Sequence, residues 1–175
     1  LRESWTGPGG LRKTGPGVAS LTGENKLFAG PVFVDEGVLA VTGPAAPAHA
    51  AGVTVASGGQ VRLNSASTPG EPRAYAFGGV LALSGFGRGA EISDGAGQGK
   101  LGALRYDPGT QSNVCVLTTP VALQGEADLH VDGSLNRLDL AGGVSGGSRL
   151  VKSGGGTLTL PAGVALTAAV EVANG

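Results

Sequence analysis

Three polar residues at alternating positions form the clearest chemical pattern in this 175-residue sequence. Residues 128–132 read Asp-Leu-His-Val-Asp, so Asp128, His130 and Asp132 alternate with apolar residues. In a β-strand, alternate side chains point to the same face about 7 Å apart, which would place two carboxylates and an imidazole in one row. Such a row could hold a cation or an acidic sugar. We nevertheless favour a solvated outer face of a strand, with the leucine and valine in the core.

Three glycine-rich segments match catalytic or phosphate-binding motifs only in part. Residues 143–147 have the Gly-x-Ser-x-Gly spacing of a nucleophile elbow, but both histidines precede the serine, and the following segment is strand-like rather than helical. Residues 94–101 lack the first glycine and the final Ser or Thr of a phosphate loop, and residues 85–90 lack the helix of a dinucleotide site. The sequence therefore predicts glycine-rich turns, with no catalytic, cofactor-binding or metal-binding residue.

Two alternative functions would use other residues. A polysaccharide lyase or hydrolase needs carboxylates together with Arg or Lys on one outer face, although the thirteen acids of this chain are dispersed. The residues that could supply such a face are Arg105, Asp107, Asp132, Arg137 and Asp139. A carbohydrate-binding module needs exposed aromatic side chains, and Tyr75 and Tyr106 are the candidate sugar contacts. We favour a buried or edge-capping position for each tyrosine.

The composition is typical of an ordered protein that does not bind polyanions. Hydrophobic residues make up 41% of the chain, enough apolar surface to offset chain entropy despite 34 glycines. Charged residues make up only 14%, with 12 basic and 13 acidic side chains and no run of either sign. We therefore expect no nucleic-acid partner, and no direct membrane insertion because no apolar run approaches the roughly 20 residues of a span. The single Cys115 is expected in an apolar strand.

The strongest internal signal is a repeated phrase. Residues 11–21 match residues 150–160 with their glycines in register, and a second shared phrase follows each copy, at 32–37 and 170–175. Between the copies, pairs of apolar residues two apart recur at steps of about twenty residues. These pairs are Leu39/Val41, Val61/Leu63, Leu81/Leu83, Leu138/Leu140 and Leu158/Leu160. Because a spacing of two keeps both members on one face of a strand, we expect each pair to stack above the last in a shared solenoid core.

Short strands separated by glycine-bearing turns are predicted throughout, because no window of ten or more residues combines helical apolar spacing with good helix formers. The predicted strands are Val32–Val34, Val38–Val41, Val53–Val55, Val61–Leu63, Val80–Leu83, Val114–Leu117, Leu129–Val131, Leu138–Leu140 and Leu158–Leu160. We expect an all-β, single-stranded parallel β-helix of about seven or eight coils of roughly twenty residues. The chain, 1–175, forms one segment, with regular coils at 11–63 and 114–175 and loop-bearing coils at 66–112.

The repeated residues resemble a known family. The phrase Leu-x-Lys-Thr/Ser-Gly-x-Gly, followed by Leu-x-Gly-x-Asn and Val-x-x-Gly-x-Leu-x-Val, is similar to the autotransporter-associated β-strand repeat. The first copy carries it at Leu11, Lys13, Thr14, Gly15, Gly17, Leu21, Gly23, Asn25, Val34, Gly37, Leu39 and Val41. The second copy carries it at Leu150, Lys152, Ser153, Gly154, Gly156, Thr157, Leu158, Leu160, Val172 and Gly175. The second copy has Val164 where the Asn is expected. The resemblance implies a right-handed parallel β-helix, in the passenger of a type V secretion system or in a very long repetitive surface protein, and it implies no catalytic residue.

The pattern and the resemblance together predict a non-enzymatic structural or adhesive segment, acting as a rigid β-helical stalk or display scaffold. We expect it in a secreted or cell-surface bacterial protein, associated with the outer membrane through parts outside this sequence. The expected partners are the rest of a longer solenoid at both ends and, for adhesion, surface glycans or a neighbouring cell. Because Gly175 aligns with Gly37, we expect the parent protein to continue with an apolar strand like 38–41. An isolated chain is expected to fray over 162–175 or to associate end to end.

Overall fold

The described part of the chain is built from β-strands alone. The computed structural model describes residues 6–22, 27–43, 48–64, 71–87, 101–109 and 112–173, and every regular element in these ranges is a strand. The strands are β1 (Thr6–Gly7), β2 (Leu11–Lys13), β3 (Val18–Leu21), β4 (Leu27–Phe28), β5 (Val32–Val41), β6 (Val53–Leu63), β7 (Arg73–Tyr75), β8 (Leu81–Gly85), β9 (Leu104–Tyr106), β10 (Val114–Leu117), β11 (Val121–Val131), β12 (Arg137–Asp139), β13 (Val144–Gly146), β14 (Leu150–Ser153), β15 (Thr157–Thr159), β16 (Ala165–Leu166) and β17 (Val170–Val172). Within these ranges, no helix has the length and apolar character that crossing a bilayer requires.

Parallel pairing of the strands builds a β-solenoid of about six turns with three sheet faces. Face A consists of residues 11–13, 32–34, 53–55, 81–83, 121–123, 144–146 and 165–166. Face B consists of residues 18–21, 38–41, 61–63, 104–106, 127–131, 150–153 and 170–172. Face C consists of residues 73–75, 114–117, 137–139 and 157–159. The strands β1 and β4 form a separate parallel pair. The prediction of an all-β parallel solenoid is confirmed.

The number of turns is slightly below the seven or eight that the sequence predicts. Regular coils have the expected length, since Leu11, Val32 and Val53 follow one another in register on face A. In contrast, Leu81 is in register with Val121, so that coil takes up about twice as many residues. Its strands β8 and β9 still pair with the neighbouring coils.

The hydrophobic core lies between the three faces and is lined by alternate residues of the strands. Of the ten predicted core positions, eight are buried, and Leu158 and Leu160 are half-buried and packed against the core, which confirms the predicted orientation. The expected single column of pairs is wrong, however. The pair at 81/83 lies on face A, whereas the preceding pair at 61/63 lies on face B. A spacing of about twenty residues does not distinguish these faces, because connections of different length shift a strand by part of a turn.

A buried lysine closes the corner between faces A and B in the first copy of the repeat. The Lys13 ammonium donates hydrogen bonds to the carbonyl oxygens of Thr14 (3.0 Å) and Gly15 (2.5 Å) in its own coil, and of Glu36 (2.9 Å) in the next coil. Gly37 has a φ of 76°, and a Cβ atom there would lie 2.7 Å from the ammonium nitrogen. The same Cβ atom would lie 2.5 Å from the backbone carbonyl oxygens of Gly15 and Gly17, so the lysine of one coil and the glycine of the next form a tightly packed joint between coils.

The two copies of the repeat occupy different corners of the solenoid. In the first copy, β2 lies on face A and β3 on face B. In the second copy, the equivalent strands β14 and β15 lie on faces B and C. The Lys152 ammonium donates to the carbonyl oxygen of Gly154, which is the equivalent of the hydrogen bond from Lys13 to Gly15 in the first copy. The phrase therefore encodes a corner between two strands and is independent of the face on which it starts.

Candidate functional site

A cluster of polar side chains lies on the outer side of face B, where β9, β11 and β14 are neighbours. We call it the outer polar cluster, and its members are Arg105, Asp107, Asp128, His130, Asp132 and Ser153. The register places His130 beside Arg105 on one side and beside Ser153 on the other. Alternation along β11 directs the three predicted polar residues away from the core, and the two adjacent coils supply the other members.

Arg105 is the central cation of the outer polar cluster. Its Nε and Nη2 atoms donate to the two carboxylate oxygens of Asp132, at 2.8 and 3.1 Å, and Nη2 also lies 3.1 Å from Asp107 Oδ2. The Arg105 side chain is only 4% exposed, so these bonds lie largely out of water. Burial opposes the charge of Asp132, but hydrogen bonds from His130 and Arg105 outweigh burial and lower the pKa of Asp132 below its usual value. Asp132 is therefore an anion, and both of its carboxylate oxygens are bonded to Arg105.

The opposite side of the outer polar cluster is organised by a serine. The Ser153 hydroxyl donates to Asp128 Oδ2 at 2.7 Å, and its oxygen lies 2.9 Å from His130 Nδ1. His130 Nε2 lies 3.6 Å from the Asp132 carboxylate. Burial raises the pKa of Asp128, although the Ser153 hydrogen bond and the nearby His130 and Lys152 oppose this shift. The Ser153 hydroxyl is therefore shared between Asp128 and His130.

Burial of Asp128 and partial burial of His130 and Asp132 correct the expectation of a solvated strand face. Asp128 is 3% exposed, and its Oδ1 atom has no hydrogen-bond partner within the described ranges. The physical reason is the short distance between coils, about 4.8 Å, which lets Arg105 and Ser153 of the adjacent coils cover the row from both sides. The carboxylates do not converge on one point, and no group of three or more His, Cys, Asp or Glu side chains among the described residues is placed to hold a metal ion.

The residues proposed for a lyase or hydrolase are divided between two faces. Arg105, Asp107 and Asp132 belong to the outer polar cluster on face B. Arg137 and Asp139 form a separate pair at 2.9 Å on face C. The structure therefore brings three of the five candidates together and leaves the other two apart. Among the three that meet, Arg105 already has two carboxylate partners where a substrate carboxylate would bind.

Both candidate sugar-contact tyrosines lie in the core, which is the buried position that the sequence analysis favoured for them over a sugar contact. Tyr75 and Tyr106 are completely buried, at inward-facing positions of β7 and β9. The Tyr75 hydroxyl donates to the Val41 carbonyl oxygen at 3.3 Å. Burial, with Cys115 close by, raises the pKa of Tyr106. Neither ring offers a free face for stacking on a sugar.

An internal pair of asparagines was missed by reasoning from the sequence. Asn113 and Asn136 are buried at the entrance to face C in adjacent coils. The Asn136 Oδ1 atom accepts a hydrogen bond from the Asn113 backbone N–H at 2.9 Å, and Asn136 Nδ2 donates to the Asp132 carbonyl oxygen at 2.8 Å. The signal that could have revealed the pair is an Asn one residue before Val114–Leu117 and again one residue before β12. The pair satisfies backbone groups at the corner, which is a structural role.

A second candidate site is a cavity at the C-terminal end of the solenoid. It has a volume of about 350 Å³ and is lined by Lys152, Gly156, Leu158, Leu160, Val170 and Val172. Val170 is 48% exposed and Val172 is 67% exposed. Their equivalents in the first copy, Val32 and Val34, are 1% and 0% exposed. The cavity is therefore an uncovered part of the hydrophobic core.

The fold and the repeated corner define a parallel β-solenoid assembled from recurring coils. A family model described as Passenger-associated-transport-repeat matches residues 11–41 and 150–175, the two segments that carry the repeated phrase. The resemblance to an autotransporter passenger repeat is confirmed for these two segments. No curated protein and no solved structure matches the chain.

Proposed function

We propose that this chain is a rigid, non-enzymatic scaffold segment of a secreted or cell-surface passenger protein. The observation that carries the proposal is the continuous hydrophobic core, which extends from Leu21 in the first coils to Leu150 in the last and includes residues of every face. No coil buries its apolar side alone, so the coils resist bending and opening as one unit. At roughly 4.8 Å per turn, about six turns give a rod of about 30 Å.

Polar contacts between coils support the same function. Arg12 pairs with Asp35 of the next coil, and Arg149 pairs with both Glu126 and Glu171, one coil on either side. Such exposed pairs contribute little individually, but each fixes the lateral position of one coil on another. The outer polar cluster adds a buried link of the same kind. In this proposal the polar residues serve to maintain the stack.

The passenger-repeat match supports a secreted or cell-surface location, where a rod could space or display an adhesive part of the parent protein. The partners of such a rod would be further coils at its ends and, through the parent protein, surface glycans or a neighbouring cell. A spacer depends on an intact stack and not on any particular coil. Removal of one whole coil should therefore shorten the rod without unfolding it. Residues 32–52 constitute such a coil, because Val32 is in register with Val53.

The test is a distance measurement between spin labels at Val18→Cys in the first coil and Thr159→Cys in the last. A rigid scaffold gives one narrow distance distribution, and deletion of residues 32–52 shifts it by about 5 Å towards shorter distance without broadening. The control is deletion of residues 32–41, which are only part of a coil, and this deletion should unfold the stack. A broad distribution in the intact chain, or unfolding after the whole-coil deletion, would refute the scaffold proposal.

The outer polar cluster is the one observation that favours a polysaccharide lyase or hydrolase instead. It brings Arg105, Asp132 and His130 within contact distance, as an acid–base site would require. A screen of the chain against pectin, alginate and other acidic glycans tests this alternative. We expect no turnover. Turnover that Asp132→Ala or His130→Ala abolishes would replace the scaffold proposal by an enzymatic function.

A further inference from the structure

The contacts of Ser153 with two ionisable neighbours in the outer polar cluster create a binding site for a proton. We infer that Asp128 and His130 share one proton through the Ser153 hydroxyl, and that this proton strengthens the contact between β11 and β14 in mildly acidic solution and is lost in alkaline solution. The shared-proton site, formed by Asp128, Ser153 and His130, makes the stack responsive to pH. This property goes beyond the scaffold function, which concerns only the rigidity of the rod.

The first argument is that the Ser153 hydroxyl cannot donate to both of its neighbours. Ser153 Oγ lies 2.7 Å from Asp128 Oδ2 and 2.9 Å from His130 Nδ1. A serine hydroxyl has one proton, so it donates to one neighbour and must accept a hydrogen bond from the other. That second donor is either the protonated acid of Asp128 or the Nδ1–H group of His130.

The second argument concerns the other nitrogen of the imidazole. His130 Nε2 faces the Asp132 carboxylate at 3.6 Å, a position where an N–H group is attracted and a bare lone pair is repelled. With Asp128 ionised and His130 neutral, the single ring proton can serve Ser153 or Asp132 but not both. One additional proton satisfies every contact, either as the acid proton of Asp128 or as the second ring proton of His130. The geometry therefore requires one proton more than this state holds.

The third argument is burial, which keeps water from supplying the missing hydrogen bond. Asp128 is 3% exposed, and its Oδ1 atom has no hydrogen-bond partner in the part of the chain that the structure describes. The His130 side chain is 14% exposed, and a Cβ atom at Gly154 would lie 2.9 Å from Nε2, so the next coil lies closely against the ring. An ionised Asp128 is costly in these surroundings, and burial raises its pKa.

The charges around the shared-proton site also favour uptake of a proton. The charged groups nearest to it are Arg105 and Asp107 on the β9 side, Lys152 on β14, and Asp132 and the exposed Glu126 on β11 itself. Arg105 already bonds to two carboxylates, so it does not compensate Asp128. When Asp128 is ionised, three carboxylates of the outer polar cluster therefore share one guanidinium. A proton on the site reduces this excess of negative charge.

The sign of the pH dependence follows from the protons that each state binds. The unfolded chain releases the Asp128 proton above a pKa of about 3.9. The pKa of Asp128 is raised in the folded chain, so the stabilisation is fully present below the unfolded pKa and is lost as the pH rises through the folded pKa. The shared-proton site therefore acts on the alkaline side of the unfolded pKa. The stabilisation that Asp132 gives, in contrast, is lost on the acidic side, because the pKa of Asp132 is lowered.

The first experiment measures the urea midpoint of the complete chain between pH 5 and 8 by circular dichroism. We expect the wild-type midpoint to fall as the pH rises. Asp128→Asn gives Ser153 a permanent N–H donor, so its midpoint should change with pH less than half as much as that of wild type. The control is Glu126→Gln, an equal change of charge at an exposed position of the same strand, and it should keep the wild-type slope.

The second experiment follows the ring nitrogens of the two histidines, His49 and His130, by ¹⁵N NMR over the same pH range. In wild type, loss of the shared proton should convert His130 from a ring protonated at Nε2 to the Nδ1–H form, because Ser153 then donates to Asp128. Asp128→Asn should keep the Nε2–H form at pH 8, and His49 is the internal reference.

Three results would overturn the proposal. They are a wild-type urea midpoint that is constant between pH 5 and 8, an Asp128→Asn variant with the wild-type slope, and a wild-type His130 ring that keeps one protonation form throughout. The NMR measurement on wild type decides the proposal even where Asp128→Asn does not fold. None of these results depends on the rigidity of the rod, so the proposal and the scaffold function fail independently.

Discussion

Replacement of Gly37 by alanine tests the joint between coils, and Gly15 provides a matched control. Both glycines have left-handed backbones, with φ values of 76° and 73°. A Cβ atom at Gly15 would meet nothing within 4 Å. At Gly37 it would lie 2.5 Å from the carbonyl oxygens of Gly15 and Gly17 and 2.7 Å from the Lys13 ammonium. The two variants therefore share the cost of a left-handed alanine and differ in crowding.

The expected difference follows from these contacts. A left-handed alanine costs roughly 1–2 kcal/mol, so Gly15→Ala should lower the free energy of unfolding by about that amount. In Gly37→Ala the ammonium of Lys13 must move away, which weakens its bonds to Thr14, Gly15 and Glu36. A hydrogen bond to a charged group is worth about 1.5–3 kcal/mol, so losing one of them brings the expected cost to about 3–5 kcal/mol.

The assay is urea unfolding followed by circular dichroism, with the free energies extrapolated to water. A double-mutant cycle with Lys13→Met separates the lysine contribution, and the excess cost of Gly37→Ala over Gly15→Ala should shrink in that background. Equal costs for the two glycine variants, within about 0.5 kcal/mol, would refute the lysine–glycine joint. An excess cost that Lys13→Met leaves unchanged would show that the carbonyl oxygens alone impose the glycine.

Three further predictions concern the core, the outer polar cluster and the cysteine. Leu129→Ala should lower the free energy of unfolding by about 2–5 kcal/mol, because Leu129 is buried in the core. In the same urea assay, Leu135→Ala, at a 65% exposed position, should change it by less than about 0.5 kcal/mol. Similar effects of the two substitutions would contradict the core assignment. Asp132→Asn should cost about 2–3 kcal/mol at pH 7, because it removes one carboxylate from the buried Arg105. The pKa of Asp132 is lowered in the folded chain, so this stabilisation is present above its unfolded pKa of about 3.9 and is lost as the pH falls through the folded pKa. In urea titrations, the free energies of unfolding of wild type and Asp132→Asn should therefore converge as the pH falls. A difference in free energy that stays constant with pH would show that the ion pair is not the source of the stabilisation. Burial raises the pKa of the Cys115 thiol, so iodoacetamide at pH 8 should label Cys115 only after the chain unfolds. Rapid labelling of the native chain would show that this part of the core opens.

Local spacing along the chain was sufficient to predict which side chains form the interior. Pairs such as Leu39 and Val41 point inward because side chains alternate along a strand, whatever that strand pairs with. The repeated phrase was equally informative, since its lysine and glycines occupy the same kind of corner in both copies. These features depend on a few consecutive residues, so they can be read from the sequence.

The pairing of strands and the contacts of the outer polar cluster were decided by the tertiary structure alone. Leu81 lies on a different face from Val61 because unequal connections set the number of residues per turn, and no local pattern records that number. The same stacking brings Ser153 to Asp128 and Arg105 to Asp132 across coils. The sequence determined that the row on β11 faces outward. Only the neighbouring coils determined that the row is partly buried and paired, because burial depends on residues more than twenty positions away.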